Sequence, residues 1–147
     1  MTTRLLLASL HLLALGIGLG AVFARARALR EPLGDSGLSR VFFTDNLWAL
    51  AAVLWLTTGL VRAFGGFEKD TAYYLATPLF HLKITLFLVV FLLELWPMVT
   101  LVRWRRRRRR GEPVDTAAAE TIARISYVQT AIVVGMVFVA SAMARGV

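Results

Sequence analysis

The chain has 147 residues, 58% of them hydrophobic, a formal net charge of +8 and no cysteine. The apolar residues gather into four blocks instead of being dispersed as a soluble core requires, which points to an integral membrane protein. The missing cysteines exclude a disulfide framework, a thiolate metal site and a thiol nucleophile, so redox chemistry would need a cofactor.

The blocks are Leu5–Ala24, Leu47–Phe64, Leu79–Val102 and Ile125–Ala144. Each is close to the roughly 20 residues that a helix rising about 1.5 Å per residue needs to cross a ~30 Å hydrocarbon layer. The expected fold is all-α, a single up-down-up-down four-helix transmembrane bundle over residues 1–147. The longest connection, about Arg25 to Asn46, is too short to bury a core of its own.

The first block follows Arg4, and Ala24 and Ala26 resemble a cleavage site, but the apolar run is long for a signal peptide and reads as a retained helix. It carries His11. Ala8, Ala14, Leu15 and Gly18 surround it at helical spacing and leave lateral room for a flat guest, which makes Gly18 a candidate cofactor contact. The stripe Gly16, Gly20 and Ala24, nearly opposite, reads as a ridge for helix packing. Pro32 and Gly34 stop the helix, and Thr44 or Asp45 is expected to cap the second span. Gly65-Gly66 ends that span, Tyr73 and Tyr74 are expected at interfacial depth, and Pro78 suits the first turn of the third.

The third block holds the only other histidine, His81, and Lys83 two positions on. Ionisable residues inside a span are costly, so all three are functional-site candidates. Two residues turn a helix by about 200°, so His81 and Lys83 contact different neighbours. Lys83 shares a stripe with Phe87, Val90 and Glu94, and Glu94 is expected to pair with an arginine. His11 lies about 9 Å, and His81 about 3–5 Å, below the starts of helices that run the same way. In such a bundle these helices are diagonal, and two inward imidazoles would converge on a metal centre such as haem iron.

The third span runs into LVRWRRRRRR. Trp104 reads as an interfacial aromatic, and Arg105, Arg106, Arg107, Arg108, Arg109 and Arg110 as a topology anchor touching anionic lipid headgroups, with no nucleic-acid partner. Twelve basic residues, Arg25, Arg27, Arg30, Arg40, Arg103, Arg124 and these six, occupy the first and third connections. Four, Arg4, Arg62, Lys69 and Arg145, occupy the termini and the second connection. The positive-inside bias then places both termini outside.

The first helix, ASLHLLALGIGLGAVF, and the third, PLFHLKITLFLVVFLLELW, resemble those of the HemJ-type bacterial protoporphyrinogen IX oxidases, or of an uncharacterised bacterial four-helix membrane family related to them. His11, His81 and Lys83 match the histidine and H-x-K element of that group. The resemblance implies haem b or porphyrin bound through His11 and His81, Lys83 as a catalytic residue, a porphyrin substrate, an electron acceptor and a bacterial inner membrane. Where that family carries an Asn-Glu-x-Pro-like element, this chain has Ser126-Tyr127-Val128-Gln129-Thr130. Two functional classes stand open: a haem-dependent membrane redox protein, and a noncatalytic accessory subunit whose histidines hydrogen-bond between helices. A homo-oligomer also stays open.

Overall fold

The computed structural model describes residues 2–66 and 71–145, with the backbone alone for Thr71, Tyr73 and Tyr74. The interfacial placement expected of the two tyrosines therefore lies outside the described side chains, as does Lys69. Among the described residues five helices follow in order: α1 (Thr2–Ala28), α2 (Asp35–Phe64), the short α3 (Thr71–Ala76), α4 (Pro78–Arg109) and α5 (Ala119–Arg145). The four long ones are apolar enough to cross a membrane. Their outer surface is apolar too: Leu12 is 63%, Leu92 62% and Phe138 72% exposed. In water such a continuous surface would be an aggregation liability, whereas a bilayer covers it. The fold is an all-α membrane bundle.

The helices end where backbone chemistry requires. Gly65 closes α2, Gly66 takes a positive φ of 68°, and Pro78 opens α4 at a position whose amide needs no partner. The expected start of the second span differs. α2 begins at Asp35 with Gly34 at its N-cap, so Thr44 and Asp45 lie within the helix. Thr44 hydrogen-bonds back to Arg40 and Val41, and Asp45 points into the bundle. These polar residues continue the helix because Thr44 bonds within its own turn and Asp45 finds Arg25 and Arg105 in other helices.

α1 packs against α2 and α5, and α5 against α4, which leaves α1 and α4 on a diagonal. Each contacting pair is antiparallel, so His11 of α1 and Met143 of α5 lie near one end, with the start of α4. This is the terminal end; the other is the arginine end. There Leu38, Val41, Leu101, Trp104 and Ile122 form a buried core. Trp104, 4% exposed, belongs to that core and not to a lipid interface. Reporters fused after Arg110 and at the C-terminus should lie on opposite sides of the membrane; the same side for both would refute the bundle's topology.

The inward stripe of α1 is His11, Ala14, Gly18, Ala21, Val22, Arg25 and Ala26. The expected ridge of Gly16 and Gly20 faces outward, with no atom within 4 Å of where a Cβ would stand. Buried His11 and Arg25 need polar partners, so their face must point inward, and the glycines on the far side turn to the surroundings. Gly18 is the close-approach glycine: a Cβ there would come 3.2 Å from the Ala51 Cβ and 3.4 Å from the Trp48 ring.

Candidate functional site

Among the described residues two polar clusters lie inside the bundle, centred on His11 and Arg25, 14 residues apart on α1 and about 21 Å along a helix axis. The first is centred on His11 toward the terminal end. The Trp55 indole N–H donates to His11 Nε2 at 3.0 Å. An indole only donates, so Nε2 accepts and the ring proton sits on Nδ1, which donates to Thr58 Oγ1 at 2.9 Å. Thr58 passes its own proton to the Leu54 carbonyl at 2.6 Å. Trp55 and Thr58 lie on one face of α2, and Gly59 beside them leaves the ring its space, since a Cβ there would stand 3.2 Å from His11 Cε1.

His11 borders a cavity of about 500 Å³ among all four long helices, within the ~300–1,000 Å³ usual for ligand pockets. Its wall is mostly apolar, with Leu15, Trp55, Phe80 and Met136. Arg62 and Lys83 supply cations, and no described lining residue is acidic. Lys83 thus faces inward, on the stripe that continues through Phe87, which touches Trp55, and buried Val90 to Glu94.

His81 is not brought to this site. It shares the level of Phe80 and Lys83 but is exposed, and its Nε2 donates to the Leu75 carbonyl of α3 at 2.8 Å. The helical turn that brings Lys83 inward carries His81 out. Gly18 is not on the wall either, because Trp48 and Ala51 fill the room beside it. Among the described residues, no three of His, Cys, Asp or Glu converge as a bare metal ion would require.

The second cluster surrounds Arg25, fully buried though only three residues from the end of α1. Its five N–H groups are all engaged. Nε donates to Ser126 Oγ at 3.1 Å, and Nη1 to Asp45 Oδ1 at 2.8 Å and Glu94 Oε1 at 2.6 Å. Nη2 donates to Glu94 Oε2 at 2.8 Å and Gln129 Oε1 at 3.0 Å. Glu94 Oε2 also accepts from Trp48 and from the Gln129 amide, and Asp45 Oδ2 from Arg105 at 2.7 Å. Two guanidiniums and two carboxylates balance, and the cluster draws on all four long helices. By its sequence position Arg25 belongs to a connection, and the cluster is not apparent there, although Glu94 does have its expected arginine partner. The available signal was phase: 14 residues at 100° each return Arg25 to within about 40° of His11. The basic asymmetry survives moving Arg25 into the bundle.

The arginine run divides. Arg105 binds Asp45 and the Phe42 carbonyl with its guanidinium 4.7 Å from the Phe42 ring, and Arg108 binds Asp35 and Ser39. Arg106, Arg107, Arg109 and Arg110 are exposed. Lysine at these four should leave the melting temperature unchanged. Arg105→Lys should cost about 1 kcal/mol, because an ammonium does not reproduce the flat stacking on Phe42. Equal behaviour of the two groups in a thermal melt would refute this division.

A family model described as "Predicted membrane protein (DUF2214)" matches residues 3–147. The chain belongs to that family. The description agrees with the four spans and assigns no chemistry to the members. No curated protein and no solved structure matches the chain.

Proposed function

We propose that this family member is a haem b- or porphyrin-binding redox protein of the bacterial inner membrane, with its site in the cavity beside His11. The observation that carries the reading is the state of His11: Thr58 holds the proton on Nδ1, which leaves the Nε2 lone pair, the atom that would ligate iron, directed at Trp55 on the cavity wall. Metal-ligating histidines are commonly oriented in this way through their other nitrogen. The cavity residues fit a haem held by one imidazole, not by two, since His81 lies off the wall. Arg62 and Lys83 suit the propionates, and Lys83 would meet an acidic substrate in an oxidase-like reaction. A bound haem would supply one-electron chemistry tuned by its axial ligand and burial. The protein's own residues orient the imidazole, supply cations and exclude water.

On this reading the arginine end faces the cytoplasm and anionic headgroups, both termini lie outside, and an electron acceptor is a partner. A second reading, a noncatalytic subunit with packing histidines, is favoured by the Trp55 and Thr58 bonds, which tie α1 to α2 without any ligand. Haemin titration of the purified protein in mild detergent separates the two. A stoichiometric Soret band that shifts on reduction supports the first, and a preparation left colourless by excess haemin supports the second.

A further inference from the structure

α2 and α4 are not packed backbone to backbone; side chains bridge them. In the arginine half the bridges are polar and directed, from Trp48 to Glu94, Arg105 to Asp45 and Arg108 to Asp35. In the terminal half rings meet across the seam, Trp55 with Phe87 at 5.9 Å and Phe64 with Phe80 at 6.4 Å. Directed polar bonds thus cross the seam in the arginine half, and aromatic contacts cross it in the terminal half. At that second end a cavity of about 70 Å³ shares His11, Trp55 and Lys83 with the larger one. It continues to the bilayer face, where Leu56, Leu60 and Ile84 are 42%, 46% and 39% exposed.

We propose that this seam is a lateral portal through which a membrane-dissolved porphyrin reaches His11, with Trp55 as its gate. The proposal rests on the reading of the cavity given above. Trp55 does two things with one ring: it meets Phe87 in a T-shaped contact across the seam, and its N–H holds His11 Nε2. A ligand that pushes the indole aside therefore opens the path and releases the lone pair in the same movement. A macrocycle with an apolar body partitions into the bilayer and needs no aqueous route, and Lys83, on the wall of both cavities, stands where a propionate would arrive. Trp55 is a positioning residue: it competes with iron for the imidazole and has nothing to compete for when the porphyrin carries no metal.

That difference makes the gate testable in proteoliposomes with two probes, haemin and metal-free protoporphyrin IX. Trp55→Phe keeps a ring at the seam and removes the N–H. It should tighten haemin binding about fivefold, the worth of an ordinary hydrogen bond, and leave protoporphyrin affinity unchanged. The cysteine-free chain permits a second variant, Leu60→Cys/Ile84→Cys, bridged after folding by a short bifunctional maleimide. The bridge should slow protoporphyrin uptake from donor vesicles, read by fluorescence polarisation, at least tenfold relative to the unbridged pair. Equal shifts of both probes in the phenylalanine variant would overturn the gate, and uptake indifferent to the bridge would overturn the portal while leaving the cavity reading intact. Should Trp55→Phe fail to fold, the bridge alone decides. If neither probe binds the wild-type protein, the cavity reading falls and the portal with it.

Discussion

Arg25→Ala is expected to destabilise the bundle by about 3–5 kcal/mol, the usual cost of removing one partner from a buried ion pair. The loss follows from what stays behind. Glu94 would keep the Trp48 and Gln129 donors but lose its bidentate charge partner, Asp45 would keep Arg105 alone, and Ser126 and Gln129 would each lose a bond to the guanidinium. Because the substitution cuts contacts to three other helices, the loss should appear as a lower midpoint in a single cooperative thermal or denaturant transition in detergent. Arg25→Lys should recover only part of it, since an ammonium has three donors against five and no planar fork. Arg25→Met combined with Glu94→Met should be less damaging than Arg25→Ala alone, because it strands no carboxylate on Glu94; the double-mutant cycle then reports the coupling. A midpoint for Arg25→Ala equivalent to less than about 1 kcal/mol of loss would show that the cluster does not hold the helices together.

His11→Ala is expected to abolish stoichiometric haem binding, whereas His81→Ala should retain the wild-type Soret band. The contrast comes from geometry: one imidazole stands on the cavity wall with its Nε2 lone pair held by the Trp55 N–H, and the other is exposed and donates Nε2–H to the Leu75 carbonyl. Thr58→Val should fall between them, with affinity reduced about 10–100-fold, because the orienting partner of a ligating histidine contributes on that scale. Haem content and the spectrum of each purified variant measure all three. Unchanged occupancy in His11→Ala would leave that histidine as a packing residue, and loss in His81→Ala alone would move the site to the exposed face of α4.

Composition and punctuation alone determine that this chain is a bundle of four apolar helices, because a bilayer demands about 20 apolar residues per span and a helix must end where Gly65 and Gly66 follow or begin where Pro78 stands. One helix face was legible as well. Lys83, Phe87, Val90 and Glu94 follow helical spacing, and the structure turns that stripe to the bundle interior. The two other decisive faces were not legible from hydrophobicity, and only the spacing of Arg25 from His11 hinted at one of them. In a soluble helix, hydrophobicity marks the buried side, but here lipid and core are both apolar and the pattern carries no phase. The sequence therefore placed His81 at the right level without showing that its side chain points outward, and left Arg25 among the loop cations. The folded chain decides both. Interhelical register sets Trp55 and Thr58 beside His11 and gathers Asp45, Glu94, Ser126 and Gln129 around Arg25, and a buried polar group holds its place only where such partners arrive together.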